Sequence, residues 1–565
     1  MAETETTGSV FERLDQLNES ERQPVANDKL QGGMYFAGSY AGEHVAATEF
    51  VIGALFVTWG ATAFDVLVGL LVGNLLAVLS WALVCAPIAI QTRLTLYWYL
   101  RKIAGPVVTA IYNVLNAVLY CILAGCMITV SASAVRIPFG IEPQVGWIPT
   151  DPYFVAVVLG VGLVVVTLAI LGFKRLAQFA SICAPWVFLM FIAGALVLLP
   201  HLGPVRSLSG LWRIANQHIW TGPGDSPAAA IGFWHIVAFA WICNLAMHLG
   251  LSDMALLRYA RRASYGFYSA FGMYLGHYVA WICAGVMGAA VAVMLQRPVA
   301  DLDSGEVAFQ ALGVAGALAV VIAGWTTSNP TLYRAGLALQ VVTPGWPRWL
   351  VTLIAGIITT AIACFPFVFR HLLGFVAIYG ILLMPVGAIV VTEHWLFPAM
   401  GMTPYWSSRR RRMTNWPAIA SWGIALALVG GCWSSKFFWG KEIIHEYFLF
   451  IPVWILTAVC YTAFAAMAGA RQLLRRLPET MSDPIPPPTG KPSPHDAEPT
   501  KANMKAYYLF GGVAALCLVL CMAFPVCVLM GYLDVSIFKR HLVLITLVYF
   551  VSAGIWIIQR DRRKL

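Results

Sequence analysis

Apolar runs of about 20 residues recur along almost the whole chain, and no other feature limits its folding so strongly. A run of that length in lipid has no water to satisfy its backbone, so it must close its own hydrogen bonds as a helix. About 14 runs qualify, over residues 36–60, 64–90, 106–134, 153–173, 176–200, 229–250, 266–295, 308–340, 349–369, 372–396, 416–435, 447–470, 507–532 and 541–559. The short alternating segments of a β-barrel are missing. Composition agrees: 60% of the 565 residues are hydrophobic and 11% charged, against roughly 25% charged in soluble domains. The expected fold class is an all-α polytopic membrane protein.

Charge sets the expected orientation. Arg93, Arg101, Lys102, Lys174, Arg175, Arg258, Arg261, Arg262, Arg348, Arg409 to Arg412, Arg471, Arg475, Arg476 and the tail "RDRRKL" all fall on one side if the N-terminus is cytoplasmic. Both termini are then cytoplasmic, in what the compact loops suggest is a prokaryotic inner membrane. The net charge of +10 does not imply nucleic acid, because the basic residues lie between apolar runs and form no stripe. The 12 cysteines lie in or beside apolar runs and read as packing residues. Cys517 and Cys521 share a helical face without other metal-ligand types nearby. Six regions result: a cytoplasmic tail (1–33), a first five-helix repeat (34–200), a second inverted one (201–397), two further helices (398–476), a proline-rich cytoplasmic linker (477–505) and a terminal helix pair with a basic tail (506–565).

Two spans begin with mixed polarity. "GSYAGEHVAATEF" (38–50) carries Glu43, His44 and Glu49, and "GFWHIVAFAWICNLAMHLGLSD" (232–253) opens the sixth span. Interruptions at matching positions of two halves point to a binding site near the midplane, where unwound backbone faces a wet cavity. A carboxylate at bilayer depth costs several kcal/mol unless paired, protonated or hydrated. Glu43 and His44 could be hydrated at a cytoplasmic mouth, whereas Glu49 lies deeper. Two roles fit Glu49: carrying protons, or supplying a counter-charge to a cationic substrate. Arg334, in the eighth span, either pairs with a carboxylate or snorkels to the inner surface, and snorkelling is the expectation. Asp253, Arg258 and Tyr259 read as a structural or gating ion-pair element, and His235, His248 and His277 as polar packing.

The eighth span, "AGWTTSNPTLYRAGLALQVVTP" (323–344), resembles its counterpart in the nucleobase:cation symporter-1 family, which includes cytosine permeases and hydantoin transporters. "VIGALF", "VGNLLAVLSWAL", "SDMALLRYARR" and "LLGFVAIYGILLMPVGAIVVTEHWL" follow the family order over roughly residues 36–470. The resemblance implies a leucine-transporter-like fold of two inverted five-helix repeats plus two helices, and symport of a planar nitrogenous ring with Na⁺ or H⁺. It also implies a Na⁺ site between the broken first span and the eighth. The matching positions are Ala323, Thr326 and Thr327, with first-span carbonyls in 42–47, Ala46 among them. Such oxygens suit a hard cation, although both threonines could instead bond back to their own helix.

The chain also departs from the family. Hydantoin-type members sandwich the ring between tryptophans of the third and sixth spans, with a glutamine nearby. Here the third span, "NVLNAVLYCILAGCMITV", offers only Tyr120, Asn113 and Asn116. The sixth offers Trp234, Trp241 and Asn244, with Trp241 about one turn early, and Asn329 is displaced within "TTSNPT". The candidate substrate residues are therefore Trp241, Asn244, Glu43, Glu49, Tyr120, Asn329 and Trp234.

Three functions compete: cation symport of a nucleobase-like solute, the same fold carrying a cationic amine or amino acid-like solute, and a transporter-derived solute sensor. No HExxH, GxSxG or P-loop pattern suggests an enzyme. No organic cofactor is expected, and Na⁺ is the one bound ion implied. The expected partners are a small-molecule substrate, the coupling cation and the lipid bilayer, with no nucleic acid and no oligomeric state specified.

Overall fold

The computed structural model describes residues 23–472 and 504–564, apart from 145, 206 and 224–230. The tail through residue 22 and nearly all of the expected linker at 477–505 lie outside these described residues.

Ten helices among the described residues are long and apolar enough to cross a membrane. Four of the expected spans are not among them, and each has a physical reason. The first is split into α1 (Gly33–His44) and α2 (Glu49–Leu55). The sixth is split into α7 (Phe233–Ile242) and the single turn α8 (Leu245–His248). The eighth, α10 (Val314–Val342), holds Thr326, Thr327, Ser328, Asn329 and Arg334 in its middle. The ninth, α11 (Arg348–Ala363), has 16 residues. Length and composition alone thus support ten of the about 14 expected spans.

The remaining labelled helices are α3 (Ala63–Ser80), α4 (Leu96–Val135), α5 (Pro152–Ile170), α6 (Phe173–Leu198), α9 (Trp281–Leu295), α12 (Leu372–Val391), α13 (Trp416–Trp439), α14 (Phe450–Ala465), α15 (Met504–Leu529) and α16 (Val535–Lys564). α10 packs most extensively on α4, while α7 packs on α3, α2 on α9, and α1 on α6. Large apolar side chains such as Leu71, Leu163 and Leu516 remain exposed, as a lipid-facing rim requires.

Three of the arginines at span ends bond to neighbouring segments. Arg93 donates to Asn27 at 2.5 Å, Arg261 to Leu30 O at 3.4 Å, and Arg410 to Gln472 at 2.5 Å. The terminal pair α15–α16 packs on itself and then against α6. Tyr549 donates to Ile182 O at 2.7 Å, and Lys539 to Gln310 O at 2.7 Å. The pair is therefore docked on the body.

Missing side chains allow the closest crossings. A Cβ added at Gly276 would lie 1.9 Å from the His44 carbonyl oxygen, and one at Gly387 would lie 1.9 Å from that of Leu249. Both crossings sit beside a helix break, and Gly316 on α10 makes an equally close one, 1.9 Å from the Ala308 carbonyl oxygen. Gly276→Ala should destabilise the protein by about 2 kcal/mol or more through overpacking. Gly423→Ala on α13, with nothing within 4 Å of the added methyl, should be neutral or gain up to about 1 kcal/mol. Thermal melts of the purified protein in detergent check the contrast.

Candidate functional site

The break between α1 and α2 follows from geometry at Val45, whose φ of −86° and ψ of 68° leave the helical region. Helical bonding stops there, which leaves the last carbonyls of α1 for other donors. One is used at once: the Thr327 hydroxyl on α10 donates to Glu43 O at 2.8 Å and contacts Ala323 O at 3.0 Å. Thr326 donates to Ala323 O at 3.1 Å. Pro330 has no N–H, so the Thr326 carbonyl four residues earlier loses its helical donor. Backbone and hydroxyl oxygens of α1 and α10 thus converge without sulfur or imidazole among them, a donor set suited to a small hard cation.

The break between α7 and α8 is centred on Asn244, with φ −125° and ψ 35°. After α8 the chain turns through Leu251, a buried residue at φ +64°. A β-carbon is strained in that conformation, and the surrounding contacts must hold it there. The turn carries Ser252 and Asp253 inward. Tyr120 on α4 donates to Ser252 at 2.8 Å.

Asp253 meets three donors. Tyr40 lies at 2.5 Å, the Trp81 indole at 2.8 Å and Arg334 at 2.6 Å. Arg334 also grips Glu43 with both terminal nitrogens, one of them at 3.0 Å. Arg334 and Asp253 are fully buried, and Glu43 is 7% exposed. The expectation that Arg334 snorkels is therefore overturned, because two carboxylates satisfy it inside the protein and it has no need to reach water. Asp253 likewise finds its cation on α10, while Arg258 donates to Tyr259 at 2.9 Å.

Beside this ion triad, with Glu43 common to both, lies a cavity of about 200 Å³. Both helix breaks line it, through Glu43, His44, Ala46, Thr48 and Glu49 on one side and Cys243 to Met247 on the other. Tyr120, Thr327, Tyr379, Phe239 and Tyr447 complete much of the wall. Of the sequence candidates, Glu43, Glu49, Tyr120, Asn244, Ala46 and Thr327 come together here. Trp241, Trp234, Asn329, Ala323 and Thr326 do not line it. Trp241 donates to Ser80 at 3.0 Å and packs edge-on to Phe450 at 4.8 Å. Trp234 is 67% exposed, and both amide atoms of the buried Asn329 lack a hydrogen-bond partner among the described residues.

Two histidines reach this cavity: His44, which the sequence placed beside unwound backbone facing a wet cavity, and His277, which it read as polar packing. His277 stacks on Trp281, with ring centres 4.4 Å apart and planes 5° apart. Its Nε2 lies 3.6 Å from Glu49 Oε1, and its Nδ1 lies 3.5 Å from Asn244 Nδ2. His44 bonds the Tyr40 carbonyl through Nδ1 at 2.9 Å and meets His277 edge-on at 5.2 Å. The separations of His277 from Glu49 and Asn244 along the chain leave no local motif that could have announced the group. Among the described residues, no cluster of three or more His, Cys, Asp or Glu could hold a metal ion.

No protein-family profile matches the chain. No curated protein matches it either. Solved structures do. The nucleobase-cation-symport-1 family transporter Mhp1, closed with bromovinylhydantoin bound, aligns at a TM-score of 0.61 and 16% identity, over 80% of this chain and 96% of that one. Mhp1 facing inward aligns at 0.56 and 15%, over 80% and 96%. A Na⁺-coupled sialic acid symporter, substrate-bound and outward-open, aligns at 0.58 and 13%, over 82% and 97%. These likenesses establish the fold: a multi-pass, all-α membrane protein built like these transporters, with the leucine-transporter-like arrangement expected from the sequence.

Removing one member of the triad should reveal its charge balance. Arg334→Met leaves two buried carboxylates without a cation and should cost about 3–5 kcal/mol, whereas Glu43→Gln leaves the Arg334–Asp253 pair intact and should cost clearly less. Melting temperatures of the two variants against wild type check the order.

Proposed function

We propose that this chain is a secondary active transporter of the nucleobase:cation symporter-1 type, moving a planar nitrogenous solute with Na⁺ or H⁺ by alternating access. The observation that carries the reading is the meeting of both helix breaks at one cavity, with Thr327 tying the broken α1 to α10. Two inverted repeats, 34–200 and 201–397, would supply one break each. The reading places the protein in a prokaryotic inner membrane with both termini cytoplasmic, and gives it a transport role without enzymatic chemistry.

Each part of the cavity has a task in this reading. Carbonyls of the α1 break, Ala46 among them, join Ala323 O and the Thr326 and Thr327 hydroxyls as ligands for Na⁺, which prefers hard oxygen donors. Ion binding there would exchange the threonine back-bonds for metal contacts and join α1 to α10. Tyr120, Tyr379, Phe239 and Tyr447 offer aromatic surface to a ring, and Asn244 offers an amide to read its donors and acceptors. The triad beside the cavity ties α1, α10 and the turn after α8 together, so any movement of α1 relative to α10 in the transport cycle would have to rearrange it. Among the described residues no tryptophan lines the cavity, in keeping with the departure of the third and sixth spans from the hydantoin pattern.

Uptake of labelled nucleobases and hydantoins into proteoliposomes under imposed Na⁺ or H⁺ gradients tests the reading. Na⁺-driven uptake of a planar ring is expected, with Thr327→Val raising the Na⁺ needed for half-maximal uptake by about tenfold through loss of one hydroxyl ligand. An unchanged Na⁺ dependence in that variant would remove the α1–α10 ion site.

A further inference from the structure

Charge along the cavity wall narrows the solute further. Its lining contains three glutamates, Glu43, Glu49 and Glu446, and among the described residues no lysine or arginine. Glu43 is already paired with Arg334. Glu49 has no such partner. It is 2% exposed, and its Oε2 has no hydrogen-bond partner among the described residues. Oε1 faces His277 Nε2 at 3.6 Å, too far for a hydrogen bond, and the Thr48 and Cys243 side chains also lie near it.

The histidine is held where it cannot follow a mobile ion. Trp281 stacks under its ring, and Asn244 Nδ2 occupies the Nδ1 side. Nδ1 then accepts and Nε2 carries its hydrogen toward Glu49. At 3.6 Å the imidazole makes no hydrogen bond to the carboxylate, and Oε2 is left without a partner among the described residues. The nearby wall is aromatic: the rings of Phe239 and Tyr447 lie 5.3 Å apart, and those of Tyr120 and Tyr379 lie 5.6 Å apart. Aromatic faces attract cations and repel anions. A buried carboxylate with one free oxygen, an acidic lining and π faces together describe a receptor for a flat cation with N–H donors.

We propose that the transported solute carries a positively charged nitrogen, as in an amidinium or a protonated amine, and that Glu49 binds that nitrogen through its free oxygen, with His277 and Asn244 beside it in the cavity wall. The proposal rests on the transporter reading and adds the charge of the solute. It excludes anionic cargo, which would face Glu49 and Glu446 with no lysine or arginine among the described lining residues to receive it.

Three probes of one shape and different charge provide the test: benzamidinium, neutral benzamide and anionic benzoate, each titrated into the purified full-length protein. Thermal shift and intrinsic tryptophan fluorescence report binding. Benzamidinium should bind at least about tenfold more tightly than benzamide, and benzoate should not bind. Glu49→Gln should erase the preference, while Glu49→Asp should keep part of it. Should the Gln variant fold poorly, the ranking of probes on wild type still decides the matter. Equal binding of benzamide, preferred binding of benzoate, or no binding of benzamidinium at millimolar concentration overturns the proposal, as does a Gln variant that keeps the preference. Neutral nucleobase flux driven by H⁺ and lost in Glu49→Gln, without preference for benzamidinium, would make Glu49 a proton carrier instead. Gradient-driven uptake of a neutral ring without benzamidinium binding sinks this inference and leaves the transporter standing. Benzamidinium binding at Glu49 without flux of any solute does the reverse.

Discussion

One guanidinium, that of Arg334, holds the two interrupted helices in register. Glu43 reaches it from the last turn of α1, and Asp253 from the turn after α8. Burying an isolated ion would cost several kcal/mol, so the arrangement persists only while each charge keeps its partners. Tyr40 and Trp81 complete Asp253, which ties α1 and the end of α3 to the same point. The strained Leu251 follows from this constraint, because its left-handed turn is what brings Asp253 into reach.

The cavity beside the triad inherits its shape from that anchoring. The unwound residues of α1–α2 and α7–α8 line it together with Tyr120 of α4 and Tyr379 of α12. Glycines at the crossings keep these backbones close: Gly276 under the His44 carbonyl and Gly387 under that of Leu249. Such contacts depend on the absence of a side chain and say little about the residues around them. That is consistent with a fold shared at 16% identity.

The breaks were legible in the sequence, because charged and amide residues at corresponding places in two apolar spans are too costly in lipid to persist away from a wet, unwound segment. Thr327 was legible through the resemblance of "AGWTTSNPTLYR" to a known helix. Arg334 was visible as an oddity but its partners were not. Glu43 lies 291 positions away and Asp253 lies 81, and no local periodicity connects them. A long basic side chain in a span reads as snorkelling until a buried carboxylate is known to meet it. Trp241 was chosen for its ring and for its spacing from Asn244, yet a helix break lies between them, so helical spacing no longer predicts a shared face. The break itself rotated Asn244 into the cavity and left Trp241 against Ser80 and Phe450. His277 shared this difficulty, since its value comes from Trp281, Asn244 and Glu49 converging across three segments.

The terminal helices add a consequence of a different kind. α15 and α16 cover the outer face of α6, and Arg560 near the end of α16 lies over the Tyr35 ring on α1 at 5.9 Å. Surface that would otherwise meet lipid directly is thereby replaced by protein, and side chains such as Leu516 and Leu544 form the rim there instead. Bilayers of unequal thickness act on a helix through the match between its apolar length and the hydrocarbon around it. On this flank, a thinner or thicker membrane presses first on two helices outside the cavity-bearing body. Its influence would pass to the broken first helix through the contact between Arg560 and Tyr35.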